Sequence, residues 1–341
     1  PVGLIISNPP DPSVRTFALS TGGVPFTFAL GDSSTFAQNP VDPNVFVRVD
    51  PSGNLHLISD YQAGTEINPG FAPFNASESD AAMNKARTVR VVWSRDGSQV
   101  AYLVDQWSDG NNREPTYDGV WVADRYFNAS DQVFRDCPML DGCIVNRTGA
   151  SVYHTIDMAW GLNNALMIRV VLSDENRNGF ALLPTTFNEQ VQPTIYRYDY
   201  AAWSWDGTRI LVSGLGADGG VAIRWFDPNT GQVGEPLLNG SAIGLYVSYA
   251  VQRPNGQIVA LASTGGAVHL IDVSGAALSG DIGSVPPERV AWSPDRSAVL
   301  VVTNENGFRR YFLAYVTNSA VTEITDRVGA GLAVEWINQT P

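Results

Sequence analysis

The chain has 341 residues, 44% of them hydrophobic and 10% aromatic, which is enough to bury a sizeable core. Its 34 acidic side chains outnumber 21 basic ones, and the resulting net charge of −13 argues against nucleic acid and anionic lipid as partners. No run of about 20 apolar residues occurs, so nothing reads as a membrane-spanning helix.

In chain order, the N-terminal stretch offers VPFTFAL, VFVRVD and NLHLIS, short apolar segments that read as strands, with Asp50-Pro51-Ser52-Gly53 as a turn. The opening Pro1, with no initiator Met, reads as the trace of a removed or omitted upstream segment. From Tyr61 to Arg87 the chain is too long for an ordinary strand connection. Long loops on a rigid frame usually carry binding, so Tyr61, Phe71 and Phe74 are candidate contact residues.

Next comes VVWSRDGSQVAYLV, a strand ending at Trp93, a tight turn at Asp96-Gly97 and a second strand. Gly accepts the positive φ that a two-residue hairpin loop demands. The loop DQWSDGNNREPTYDG follows and places Trp107 and Tyr117 on the rim shared with the Tyr61 loop. After the third strand, YFNASDQVFRDCPMLDGC reads as a second excursion on the opposite rim, offering Phe127, Phe134 and Met139 to a partner. Cys137 and Cys143 are the only cysteines; their close spacing favours a local disulfide worth about 2 kcal/mol, with two reduced thiols as the other reading.

The strand–turn–strand phrase then recurs. DMAWGLNNALMIRVVLS turns on Asn163-Asn164, AAWSWDGTRILVSG on Asp206-Gly207, and SYAVQRPNGQIVALAS on Asn255-Gly256 with Gln252 near the Trp position. VAWSPDRSAVLVV is a further copy, and LAVEWINQ is a half-copy ending at Trp336. The nearly continuous apolar second strands fit burial on both faces. Within SDENRNGF, residues Asp174, Asn176 and Asn178 followed by Gly179 reproduce the first half of a calcium loop. Its late acid is replaced by Thr185, and a polar hairpin turn is the alternative. The sequons at Asn75, Asn128 and Asn146 fall in loop-like sequence and could carry glycans, as do those at Asn239 and Asn338 with less reason.

With Trp93, Trp160, Trp203, Val251, Trp292 and Trp336 as anchors, the repeat has a step of roughly 40–50 residues after one longer interval, the size of a four-stranded propeller blade. The expectation is an all-β, six-bladed β-propeller of four-stranded antiparallel blades, a single domain over 1–341. Its blades would be 1–60 with 332–341, 89–150, 155–196, 198–240, 246–285 and 287–328. The C-terminal strand would join the N-terminal blade, which leaves no sheet edge open at the junction.

The W-S-x-D-G-x-x-apolar phrases, over roughly residues 89–341, resemble the repeat of TolB-like β-propellers, relatives of tryptophan-aspartate repeat propellers. The resemblance implies a periplasmic, cell-surface or otherwise extracellular scaffold that binds other proteins.

Catalytic constellations are scarce. His56 is expected on a fourth strand and His269 on a third, away from a central channel, and with His154 they make no metal centre or triad. The recurrent Trp residues read as blade packing rather than sugar platforms, because they follow the structural period. The expected function is a non-catalytic secreted or surface scaffold for protein–protein interaction or self-assembly, with no cofactor unless Ca2+ binds. The alternatives are a carbohydrate-binding or glycoside-active propeller, and the propeller domain of a larger hydrolase.

Overall fold

The structure is a computed structural model that describes residues 2–8, 11–18, 27–28, 35–50, 53–59, 65–67, 86–106, 119–136, 153–172, 177–183, 193–264, 266–328 and 333–338. These residues form seven antiparallel sheets. The first holds β1 (Val2–Asn8), β2 (Asp11–Ala18) and β3 (Thr27–Phe28); the second holds β4 (Thr35–Gln38), β5 (Val45–Val49), β6 (Leu55–Ser59) and β7 (Thr65–Ile67). The third runs β8 (Ala86–Trp93), β9 (Gln99–Gln106), β10 (Gly119–Asp124) and β11 (Ser130–Phe134), and the fourth β12 (Tyr153–Trp160), β13 (Leu166–Leu172) and β14 (Arg177–Leu183). The fifth contains β15 (Tyr198–Trp203), β16 (Ile210–Gly216), β17 (Val221–Asp227) and β18 (Gln232–Asn239). The sixth contains β19 (Tyr246–Gln252), β20 (Ile258–Thr264) and β21 (Ala267–Asp272), and the seventh β22 (Pro287–Trp292), β23 (Ala298–Glu305), β24 (Phe308–Tyr315) and β25 (Val321–Glu323). The last strand, β26 (Ala333–Asn338), pairs with β1 from Val2 opposite Asn338 to Ser7 opposite Ala333.

The repeat count therefore falls one sheet short. Residues 1–60, expected as part of one blade, divide between the first and second sheets. The second sheet escapes a Trp-based count because its inner strand, TFAQ, ends on Gln38 where the inner strands β8, β12, β15 and β22 end on Trp.

The core is a series of apolar layers between neighbouring sheets. Val47 and Leu55 of the second sheet meet Trp93 and Tyr102 of the third, and Leu103 and Phe134 of the third meet Ile168 and Leu183 of the fourth. Leu261 and Leu270 of the sixth meet Val301 and Phe312 of the seventh in the same manner. This two-sided packing is why the second strands read as unbroken apolar runs: the first five residues of both β16 and β20 are buried.

Five of the nine Trp residues also tie their sheet to the preceding one. The indole Nε1 of Trp93 donates to Ala37 O (3.0 Å), Trp160 to Val92 O (3.3 Å) and Trp203 to Ala159 O (3.0 Å). Trp292 donates to Tyr249 O (2.9 Å) and Trp336 to Ala291 O (2.8 Å). An indole packed between sheets must place its N–H, and here the acceptor is a backbone carbonyl of the adjoining inner strand. The repeat thus records the spacing of an intersheet hydrogen bond.

The Ser-x-Asp portion builds the turn beside each Trp. Ser94 Oγ donates to Asp96 Oδ1 (2.6 Å), which also accepts from Ser98 N (3.0 Å) and Ser98 Oγ (2.7 Å). Ser204, Asp206 and Thr208 repeat the arrangement, as do Ser293, Asp295 and Ser297. The glycine of the turn answers to a neighbour as well as to φ: at Gly97 (φ +68°) a Cβ would stand 2.5 Å from Asn39 Oδ1.

Hydrogen bonds from Ser94 and Ser98 lower the pKa of Asp96 to about 2, and those from Ser204 and Thr208 do the same for Asp206. A carboxyl that titrates lower in the folded chain than in the unfolded one stabilises fully above about pH 4, and that stabilisation is lost as pH falls towards 2. The double variant Asp96→Asn, Asp206→Asn should therefore show a shallower decline of urea midpoint between pH 4 and pH 2 than the parent. Parallel acid limbs for the two proteins would contradict this assignment.

Candidate functional site

The inner strands β4, β8, β12, β15, β19 and β22, with Trp336 of β26, surround one cavity of about 460 Å3. Five of the inner strands carry a register shift just before the Trp segment: between Thr88 and Arg90, Thr155 and Asp157, Tyr198 and Tyr200, Ser248 and Val251, and Pro287 and Arg289. A bulge bends its strand and re-aims the side chain at that point. Four of the shifts end or centre on the polar or aromatic residues Arg90, Asp157, Tyr200 and Tyr249, and the fifth ends on Arg289.

Three of these converge with one residue of a second strand. Arg90 Nε donates to Asp157 Oδ1 (3.1 Å), Arg169 from β13 pairs with Asp157 Oδ2, and Met158 N donates to Asp157 Oδ1 (2.9 Å). The guanidinium carbon of Arg169 lies 4.4 Å from the centre of the Tyr200 ring, a cation–π distance. Tyr200 in turn packs against Tyr249, with ring centres 4.9 Å apart. Tyr249 has φ +54°, a conformation that β-strand residues avoid, and burial pushes its hydroxyl pKa up.

At the Trp end of the channel stands Arg296, in the turn position that Gly97 and Gly207 occupy elsewhere and with φ +54°. Its Nη2 donates to Trp203 O (2.9 Å), its Nη1 donates to Gln252 O, and its guanidinium lies 5.4 Å from the Trp205 ring centre. Burial lowers its pKa to about 10, which still leaves it cationic at neutral pH.

Of the residues singled out by sequence, Phe127 and Phe134 are not partner-facing. Phe127 is buried with its ring centre 6.3 Å from that of Tyr102, and Phe134 is buried against the fourth sheet. Ser130–Phe134 is a fourth strand rather than part of a loop, so the chain leaves β11 towards Cys137 on the rim where β9 ends, not the opposite one. His56 lies on the third strand of its sheet, 3.0 Å from Asp50, whereas His154 at the start of β12 stands 3.3 Å from Asp136.

Asn178 and Gly179 belong to β14 and pair with Val171 and Val170, so the strand has resumed where an ion loop would still be turning. Gly179 is explained by close approach instead, since a Cβ there would meet Ile195 Cγ2 at 2.9 Å. Asn128 is exposed in the turn between β10 and β11. Asp174, Asn176, Cys137, Cys143, Tyr61, Phe71, Phe74, Trp107, Tyr117, Met139, Asn75 and Asn146 lie outside the described residues.

The charged channel layer was missed, yet the sequence carries a signal for it. In RVVW, DMAW, YAAW and RVAW a charged or aromatic residue stands three places before the Trp of an otherwise apolar strand.

No family model matches this chain, and no curated protein matches it. Among solved structures it is similar to a protein of unknown function from Desulfotomaculum acetoxidans (TM-score 0.54, 11% identity, 99% of each chain covered). It is also similar to a puromycin hydrolase (TM-score 0.55, 10% identity), covering 94% of this chain and 51% of that one. TolB from Acinetobacter baumannii aligns over 94% of this chain and 62% of its own, at 13% identity and a TM-score of 0.41. Seven sheets around a channel and the two likenesses with a TM-score above 0.5 agree on one architecture. The chain is a β-propeller. Identities this low speak to the fold alone.

Proposed function

We propose that this β-propeller is a TolB-like scaffold that binds another protein through the face formed by its Trp-Ser-x-Asp turns. One observation carries the reading. Val41 (63% exposed), Tyr126 (67%), Leu162 (47%) and Trp205 (36%) project from turns of four successive sheets. Those turns are joined into one surface: Arg125 Nη2 bonds Asp42 Oδ2 (2.8 Å), Arg95 Nη2 donates to Trp205 O, and Leu162 N donates to Gly207 O (3.0 Å). Apolar side chains on a braced surface cost little entropy to bury, which is what a protein interface needs. The scaffold works outside the cytoplasm, where Cys137 and Cys143 join as a disulfide.

The test is site-specific photo-crosslinking in the source cells from position 162 or 205, with Phe308, 76% exposed on the opposite face, as the control position. A defined protein adduct from 162 and 205 but not 308 is expected. Adducts from 308 alone, or from none of the three, would remove the reading.

A second reading is favoured by the puromycin hydrolase likeness, in which this chain covers 51% of the other protein: the propeller serves a larger hydrolase. The mass of the native gene product decides between them.

A further inference from the structure

The channel carries a charge opposite to that of the protein around it. In a chain of net charge −13, the described residues lining the cavity include three arginines, Arg90, Arg169 and Arg296, against one acid, Asp157. A low-dielectric wall concentrates such a field, so the excess positive charge is felt along the channel while the acidic exterior dominates at long range. Asp199, next to Tyr200 in the chain, is not among the lining residues; its Oδ2 accepts from Leu215 N (2.6 Å) and from the Tyr246 hydroxyl.

The geometry also separates a charged end from an apolar one. Asp157 holds Arg90 and Arg169 side by side, fixing two planar donor groups that match the oxygens of a carboxylate or phosphate. Beside them the wall is the Tyr200 ring, Phe36, Met158 and the alanines preceding Trp160, Trp203 and Trp292. The side chains of Arg90, Asp157 and Arg169 are 27%, 16% and 19% exposed, so they are reachable yet largely removed from bulk water. The register shifts in β8, β12 and β15 fall just before Arg90, Asp157 and Tyr200, all of which line the cavity.

We propose that the channel binds a small organic anion, whose carboxylate or phosphate head sits on Arg90 and Arg169 and whose body lies along Tyr200 and Met158. This is independent of the turn-face scaffold reading, which concerns the outer surface.

The experiment is calorimetric titration of the purified full chain with citrate, inorganic phosphate and phenyl phosphate at constant sodium chloride. Saturable one-to-one uptake of at least one of them is expected; citrate bound in preference marks a carboxylate ligand, and a phosphate bound in preference marks a phosphate ligand. Arg169→Gln should weaken that uptake at least about tenfold, and Asp157→Asn, which removes the competing carboxylate while keeping its shape, should tighten it by a similar factor. The second variant guards against misfolding of the first, because it gains function. No saturable uptake by either the parent or Asp157→Asn, or an affinity in Asp157→Asn equal to the parent's, would overturn the proposal.

Discussion

Deleting residues 333–341 is expected to give a protein that unfolds at far lower denaturant concentration than the parent and self-associates. The deletion removes one of the two partners of β1, opposite Val2 to Ser7, and leaves that side of the strand as an unprotected edge. It also removes Trp336, which packs beside Leu300, Val302 and Leu313 of the seventh sheet and donates to Ala291 O at 2.8 Å. Trp336 is partly buried, so its loss costs somewhat less than the about 3–5 kcal/mol of a fully buried aromatic, still a sizeable share of the stability of an ordinary domain. The edge adds a kinetic hazard, since its free backbone groups invite a second chain.

Urea unfolding and size-exclusion chromatography check both parts, and Trp336→Phe separates them. Phe keeps most of the apolar bulk and loses the indole N–H, so that variant should lose only about 1–2 kcal/mol and stay monomeric. A truncated chain that matches the parent in midpoint and in size would show that the pairing of β26 with β1 does not hold the fold.

The Trp phrase was legible because its three full copies, at Trp93, Trp203 and Trp292, build the same three local features, a turn stabilised by Asp, a ring packed between sheets and one hydrogen bond to the previous sheet. Where other chemistry links the sheets, the reading failed. In the second sheet Gln38 stands in the Trp place, and the use of Ala37 O as acceptor for Trp93, with the packing of Val47 and Leu55 on Trp93 and Tyr102, shows that the sheet belongs to the series. That single departure hid a whole sheet. Phe127 and Phe134 misled for a different reason. A stretch dense in Asn, Asp and Ser looks like loop, but the alternation in Ser130–Phe134 pairs with β10, and the positive φ of Phe127 (+57°) folds its ring under the turn. The channel layer could be read as RVVW, DMAW and YAAW. What the sequence did not contain was that Arg169, from a second strand, completes the group with Arg90 and Asp157.

The sixth sheet shows what happens when the intersheet Trp is absent, and it leads to the second large effect. Val251 and Gln252 occupy the end of β19, so no indole links this sheet to the fifth. Arg296 of the seventh sheet fills the gap by donating to Gln252 O of the sixth and to Trp203 O of the fifth, thereby joining three sheets. Arg296→Met should therefore cost about 3 kcal/mol or more, because two carbonyls lose a charged donor at a site where burial already lowers the guanidinium pKa to about 10.

Backbone strain makes the prediction sharper. Arg296 has φ +54°, while Gly97 and Gly207 take the equivalent turn position at +68° and +75°. A non-glycine residue pays about 1–2 kcal/mol there, so Arg296→Gly recovers that amount while losing the same hydrogen bonds. Urea unfolding should rank the parent above Arg296→Gly, and Arg296→Gly above Arg296→Met. If the glycine variant equals or exceeds the parent, the guanidinium is not a bridge of any weight, and the sixth sheet is held by its apolar layers alone.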